Sequence, residues 1–157
     1  MKIQLWSIGK SHDPDLKHAI EDFTSRIGRY YPVQWQIIPN IKNAATLSPD
    51  DLKKKEASVL MQLLSKDDYL VLLDERGKHI DSPQLANLIQ LRANESTKQL
   101  IFLIGGAFGV DPSIMQRANY SWSLSKLIFP HQLVRLILAE QIYRACTILR
   151  NERYHHE

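Results

Sequence analysis

Two uninterrupted apolar runs, YLVLL (Tyr69–Leu73) and QLIFLI (Gln99–Ile104), constrain the fold more than anything else in this chain. A strand that alternates apolar and polar residues can leave one face in water. A strand that is apolar throughout must be covered on both faces, as in a parallel sheet layered with helices. The residues between the runs fit that demand. Asp81-Ser82-Pro83 opens a helix, with Asp-Pro or Ser-Pro signals also at Asp13-Pro14, Ser48-Pro49 and Asp111-Pro112. Alternating segments at Lys2–Ile8, Val33–Ile38 and Tyr120–Ser125 read as further strands. The first helix is expected to reach about Tyr30. A last, long helix begins at Phe129-Pro130 and runs to about Arg150. Strand and helix alternate throughout, which predicts an α/β fold: a mostly parallel sheet with helices on both faces. The length, 157 residues, suits a single domain over 1–157.

Several classes are set aside at once. Cys146 is the single cysteine, so no internal disulfide is expected and a reducing cytosol suits the chain. The opening MKIQLWSIGK has no long apolar core like that of a signal peptide, and no apolar run approaches a membrane span. A cytoplasmic protein without membrane contact is the expectation. Lys plus Arg number 20 against 17 Asp plus Glu, an excess that permits a polyanionic partner without demanding one.

In parallel sheets of this kind, ligands bind outside the carboxyl ends of the strands. Three such ends carry unusual content. Tyr69–Leu73 runs into DERGK (Asp74–Lys78), Gln99–Ile104 into GGAFG (Gly105–Gly109), and Tyr120–Ser125 into SKLIFPHQLVR (Ser125–Arg135). GGxxG is neither the dinucleotide fingerprint nor a P-loop. It is a tight turn with positive φ, or a place where backbone closely approaches a flat, neutral ligand group. In DERGK, Arg76 and Lys78 either face solvent or hold RNA phosphate. No matched His or Cys cluster accompanies them, so no metal is expected.

His131 and Arg135 lie four residues apart on the last helix, on one face near the presumed crevice. Beyond them, Leu133–Leu149 is apolar around nearly its whole circumference, so the helix must be buried on more than one side. It is either a homodimer interface, the favoured reading, or the central helix of a monomer. The tail RNERYHHE brings Arg153, Tyr154, His155 and His156 together. It is either a frayed end or an arm that stacks on a base and meets phosphate.

Taken together, these segments resemble the RlmH family, SPOUT-class methyltransferases of large-subunit ribosomal RNA that modify N3 of a pseudouridine. The resemblance rests on LDERGK (Leu73–Lys78), LIGGAFG (Leu103–Gly109), the block Ser121–Ala145 and the closing YHHE. It spans essentially the whole chain. Two departures stand in the tail: Arg153 where the family has Pro, and His156 where it has a basic residue. The resemblance implies a trefoil knot near the last strand and helix, a homodimer through the C-terminal helix, and action on assembled ribosomes. It implies S-adenosylmethionine as cofactor, held by Leu73, Gly105, Gly106, Ser125, Lys126, Leu127, Ile128, Phe129 and Pro130. The N3 proton must leave before or during attack. His131 or His155 would stand near that proton, Tyr154 would stack on the base, and Arg135 would orient or neutralise it. Arg76, Lys78, Arg153 and His156 would meet RNA. Rival readings are an α/β nucleotide-binding protein and a dimeric RNA-binding module without catalysis.

Overall fold

The structure is a computed structural model that describes residues 1–156. Glu157, the end of YHHE, lies outside them. Five strands form one sheet: β1 (Lys2–Ile8), β2 (Val33–Ile38), β3 (Tyr69–His79), β4 (Gln99–Ile104) and β5 (Tyr120–Ser123). Their order is β2-β1-β4-β3-β5, and every pairing is parallel. Five helices connect and flank them: α1 (Pro14–Ile27), α2 (Pro49–Leu63), α3 (Ser82–Asn94), α4 (Pro112–Arg117) and α5 (His131–Leu149).

The caps read from the sequence are made. The Asp13, Ser48 and Asp111 side chains accept from the Asp15, Asp51 and Ser113 backbone N–H groups. Asp81 and Gln84 form a reciprocal capping box at α3. The two-residue period of the strands then sorts the core into two layers. Ile3, Leu5, Val71, Leu100 and Phe102 pack with the buried residues of α3 and α5. Trp6, Ile8, Leu70, Leu72, Ile101 and Leu103 pack with Leu60 of α2 and Ile114 of α4. Helix α5 rests between α1 and α3 on the first face.

Three boundaries differ from expectation. Helix α1 stops at Ile27, and the next residues fold back in turns, with Tyr30 N–H donating to Ile27 C=O at 2.9 Å. Strand β5 ends at Ser123, because Ser125 turns the chain: its C=O accepts from Ser123 Oγ and its Oγ from the Leu127 N–H. Strand β3 does not end at Leu73. It leaves the ladder there and rejoins at Lys78, so Leu73 and Lys78 both pair with Trp122. Residues 74–77 are thereby looped out at the carboxyl end of the sheet.

Candidate functional site

The loops after β4 and β5 and the excursion 74–77 enclose a cleft of about 590 Å³. Leu73, Gly105, Gly106, Ser125, Leu127, Ile128 and Phe129 line it, as does His131 at the start of α5. Lys126 and Pro130 belong to the same loop but do not line the cleft. Three apolar side chains stand open among its lining residues: Phe108 is 58% exposed, Leu127 70% and Ile128 85%.

The glycines divide the two readings of GGxxG. Gly109 has φ +82°, the turn requirement, and its N–H donates to Gly106 C=O at 3.1 Å. Gly105 and Gly106 are set by packing. A Cβ on Gly105 would lie 2.9 Å from Val110 Cγ1, and one on Gly106 would lie 2.7 Å from Glu56 Oε2. What the missing side chains leave room for is therefore protein: Val110 beside Gly105 and Glu56 beside Gly106. Sequence reading missed Glu56. Its only signal was a carboxylate among the otherwise apolar inner positions of α2.

The charges are largely internal. Arg76 donates to Asp74 through Nε and Nη2 at 3.1 and 3.0 Å. That guanidinium lowers the Asp74 pKa against the opposing effect of burial. Lys53, at the rim, stands 3.5 Å from Asp50. Burial, and then the charge of Arg135, lower the His131 pKa and keep its ring neutral at physiological pH.

The other sequence-selected residues lie elsewhere within one chain. Arg135 is 1% exposed and points toward the end of β1 and the segment after it, where Nε donates to Ser7 Oγ at 3.0 Å and Nη1 meets His12 Nδ1 at 3.2 Å. Lys78 lies with its ammonium 5.5 Å from the Tyr120 ring centroid, beside a separate groove. The tail is not frayed. Tyr154 OH donates to Glu140 Oε1 at 3.1 Å, its ring packs 4.7 Å from Tyr143, and Arg144 lies over it. His155 Nδ1 meets Arg144 Nη1 at 3.3 Å. His155 and His156 line a second hollow of about 530 Å³, which shares Trp122 and Leu124 with the first. Arg153 is exposed. Of the four catalytic candidates, only His131 reaches the cleft of its own chain.

Among the described residues, no group of three or more His, Cys, Asp or Glu is placed to hold a metal. No described helix is long and apolar enough to cross a membrane.

Residues 1–155 match the sequence model of a family described as "Predicted SPOUT methyltransferase". The chain is 45% identical over 156 residues to a protein of Cytophaga hutchinsonii named "Ribosomal RNA large subunit methyltransferase H", covering 99% of this chain and 100% of that one. A protein of the same name from Parabacteroides distasonis is 43% identical over 157 residues, covering 100% of each. Among solved structures, a methylase-family protein from Neisseria gonorrhoeae superposes with a TM-score of 0.55 over 99% of this chain and 85% of its own, at 16% identity. At that identity the likeness concerns the fold.

Proposed function

The chain belongs to the SPOUT methyltransferase family, and on that premise we propose that it methylates N3 of a pseudouridine in large-subunit ribosomal RNA, as a homodimer acting on assembled ribosomes in the cytoplasm. The observation that carries the reading is the cleft at the carboxyl ends of β3, β4 and β5, lined by Gly105 and Gly106 and by the His131 imidazole.

The residues fit S-adenosylmethionine. Gly105 and Gly106 line the cleft, and their Cβ positions are filled by neighbours, so no side chain there can take the place of a ligand. The volume falls in the range of small-molecule sites, and the exposed Phe108, Leu127 and Ile128 among charged neighbours suit a nucleoside. When bound, this cofactor supplies a methyl group on a sulfonium, which needs little electrophilic help. Leu73, Gly105 and Gly106 would hold the nucleoside, and the loop 125–130 would close over it. The family's knotted threading of that loop belongs to the same reading.

The remaining task is orientation and removal of one proton. His131, neutral and lining the cleft, can accept the N3 proton on its ring nitrogen. Arg135 is buried away from the cleft, so its role is to fix α5 against β1 and to keep His131 uncharged. Tyr154, His155, Arg153 and His156 would act from the partner's tail. Leu133, Leu136 and Ile137 form a half-buried stripe on α5 that suits this pairing. Arg76 at the rim and Lys78 in the adjoining groove would then contact RNA.

The test is methyl transfer from methyl-labelled S-adenosylmethionine to ribosomes from a strain lacking the activity, with free ribosomal RNA in parallel. Label on N3 of a single pseudouridine, in ribosomes alone, is expected. Label elsewhere would replace the substrate, and failure to bind the cofactor would withdraw the enzymatic reading in favour of a binding module.

A further inference from the structure

Glu56 is the buried acid that nothing above has used. It is 7% exposed on the inner face of α2, and its two carboxylate oxygens lie 2.7 and 2.9 Å from where a Cβ on Gly106 would stand. Only a glycine lets the carboxylate come so near the wall of the cleft. Burial raises the Glu56 pKa, and neither a hydrogen bond nor a nearby charge offsets the rise. Lys53, one turn earlier on the same helix, reaches the rim but stands beside Asp50. A largely buried carboxylate without a hydrogen-bond or ion-pair partner in its own chain is costly to the fold. Such a group at the back of a cleft points to a ligand that supplies the missing cation.

We propose that Glu56 is the counter-charge for a cationic group of the ligand in this cleft, and that it makes the chain prefer a sulfonium cofactor over the uncharged thioether left after methyl transfer. This rests on the S-adenosylmethionine reading above. Glu56 does not line the cleft, so it acts through its field across the Gly106 backbone. The interaction is present with the reactant cofactor and weakened once the sulfur has lost its charge. The product is thereby bound less tightly and leaves, while discrimination costs no side chain inside the cleft.

The experiment is calorimetric binding of S-adenosylmethionine and S-adenosylhomocysteine to the natural chain, Glu56→Gln and Glu56→Asp, with thermal melts of all three. For Glu56→Gln, affinity for the sulfonium should fall about tenfold, as expected for charges several ångströms apart and partly screened. The thioether should change less than about twofold on the same argument. Glu56→Asp should keep the preference. Glu56→Gln should melt no lower than the natural chain, because it loses an uncompensated buried charge. Equal weakening of both ligands, no change in either, or a much lower melt would overturn the proposal and leave Glu56 a structural residue. A natural chain that binds neither ligand would overturn the cofactor reading itself.

Discussion

Gly77 lies directly against the Ser121–Trp122 peptide: a Cβ on it would stand 2.6 Å from the Ser121 carbonyl carbon and 2.7 Å from the Trp122 nitrogen. This is where β3, having left the ladder after Leu73, comes back to β5 at Lys78. The obstacle is backbone in a paired strand and cannot swing aside. Gly77→Ala should therefore cost toward the upper end of overpacking penalties, about 3 kcal/mol. For a domain of this size that lowers the melting midpoint by roughly 6–12 °C. A thermal melt within a degree or two of the natural protein would show that the crossing is looser than described.

Gly106 offers a contrast, because its obstacle is the end of a flexible side chain. Gly106→Ala forces the Glu56 carboxylate to move, at a cost of about 1 kcal/mol. Removing that carboxylate should relieve the cost. The double variant Gly106→Ala with Glu56→Ala is expected to be less destabilised than the sum of the two single changes. Urea denaturation of the four proteins gives the coupling directly, and strict additivity would rule out the contact.

These two glycines also mark how far the sequence could be read. The parallel sheet was legible because period-two burial and Pro-marked helix starts are local signals, and Lys2–Ile8, Val33–Ile38 and Gln99–Ile104 are strands over those same residues. The cleft was legible in outline because strand ends carry it. The role of Gly77 was not, since the need for glycine comes from a peptide 44 residues later in the chain. Arg135 misled for a related reason. It follows His131 by one helical turn, yet its long side chain reaches Ser7 and His12 on the far end of the sequence. The tail looked free because its anchor, Glu140 with Arg144, is an ordinary surface ion pair until Tyr154 docks on it.

The buried Arg135 charge has a consequence for pH. His12 and His131 both have lowered pKa values, each through burial first and the Arg135 charge second. In the unfolded chain they titrate near the ordinary histidine value of about 6.5. As pH falls below that, the unfolded state takes up protons that the folded state refuses, so stability declines. Above it, both states carry neutral rings and the term vanishes. Melts should thus be flat from pH 8 to about 7 and drop between about 6.5 and 5, above the range where carboxylates protonate. The pair of substitutions His12→Asn and His131→Asn should flatten that drop. If the slope survives both, the loss comes from other groups.

The tail separates action within one chain from action across a dimer. Residues 152–156 are held by a few partly exposed contacts, to Glu140 and Arg144 of α5 and to Tyr30 after α1, so their deletion should spare the fold and cofactor binding. In the proposed dimer it should still abolish methyl transfer, and so should His131→Ala, which removes the imidazole at the cleft. Mixing the two inactive proteins after exchange of subunits decides where the tail works. Random pairing gives hybrids in about half the dimers, and each hybrid holds one site with an intact His131 and an intact partner tail. Activity should then return to about a quarter of the natural level. A mixture as inactive as its parents would mean that each tail serves its own chain. Tyr154 and His155 would then have to leave Glu140 and Arg144 to reach the cleft, a rearrangement that Tyr154→Phe should make easier by removing the hydroxyl bond to Glu140.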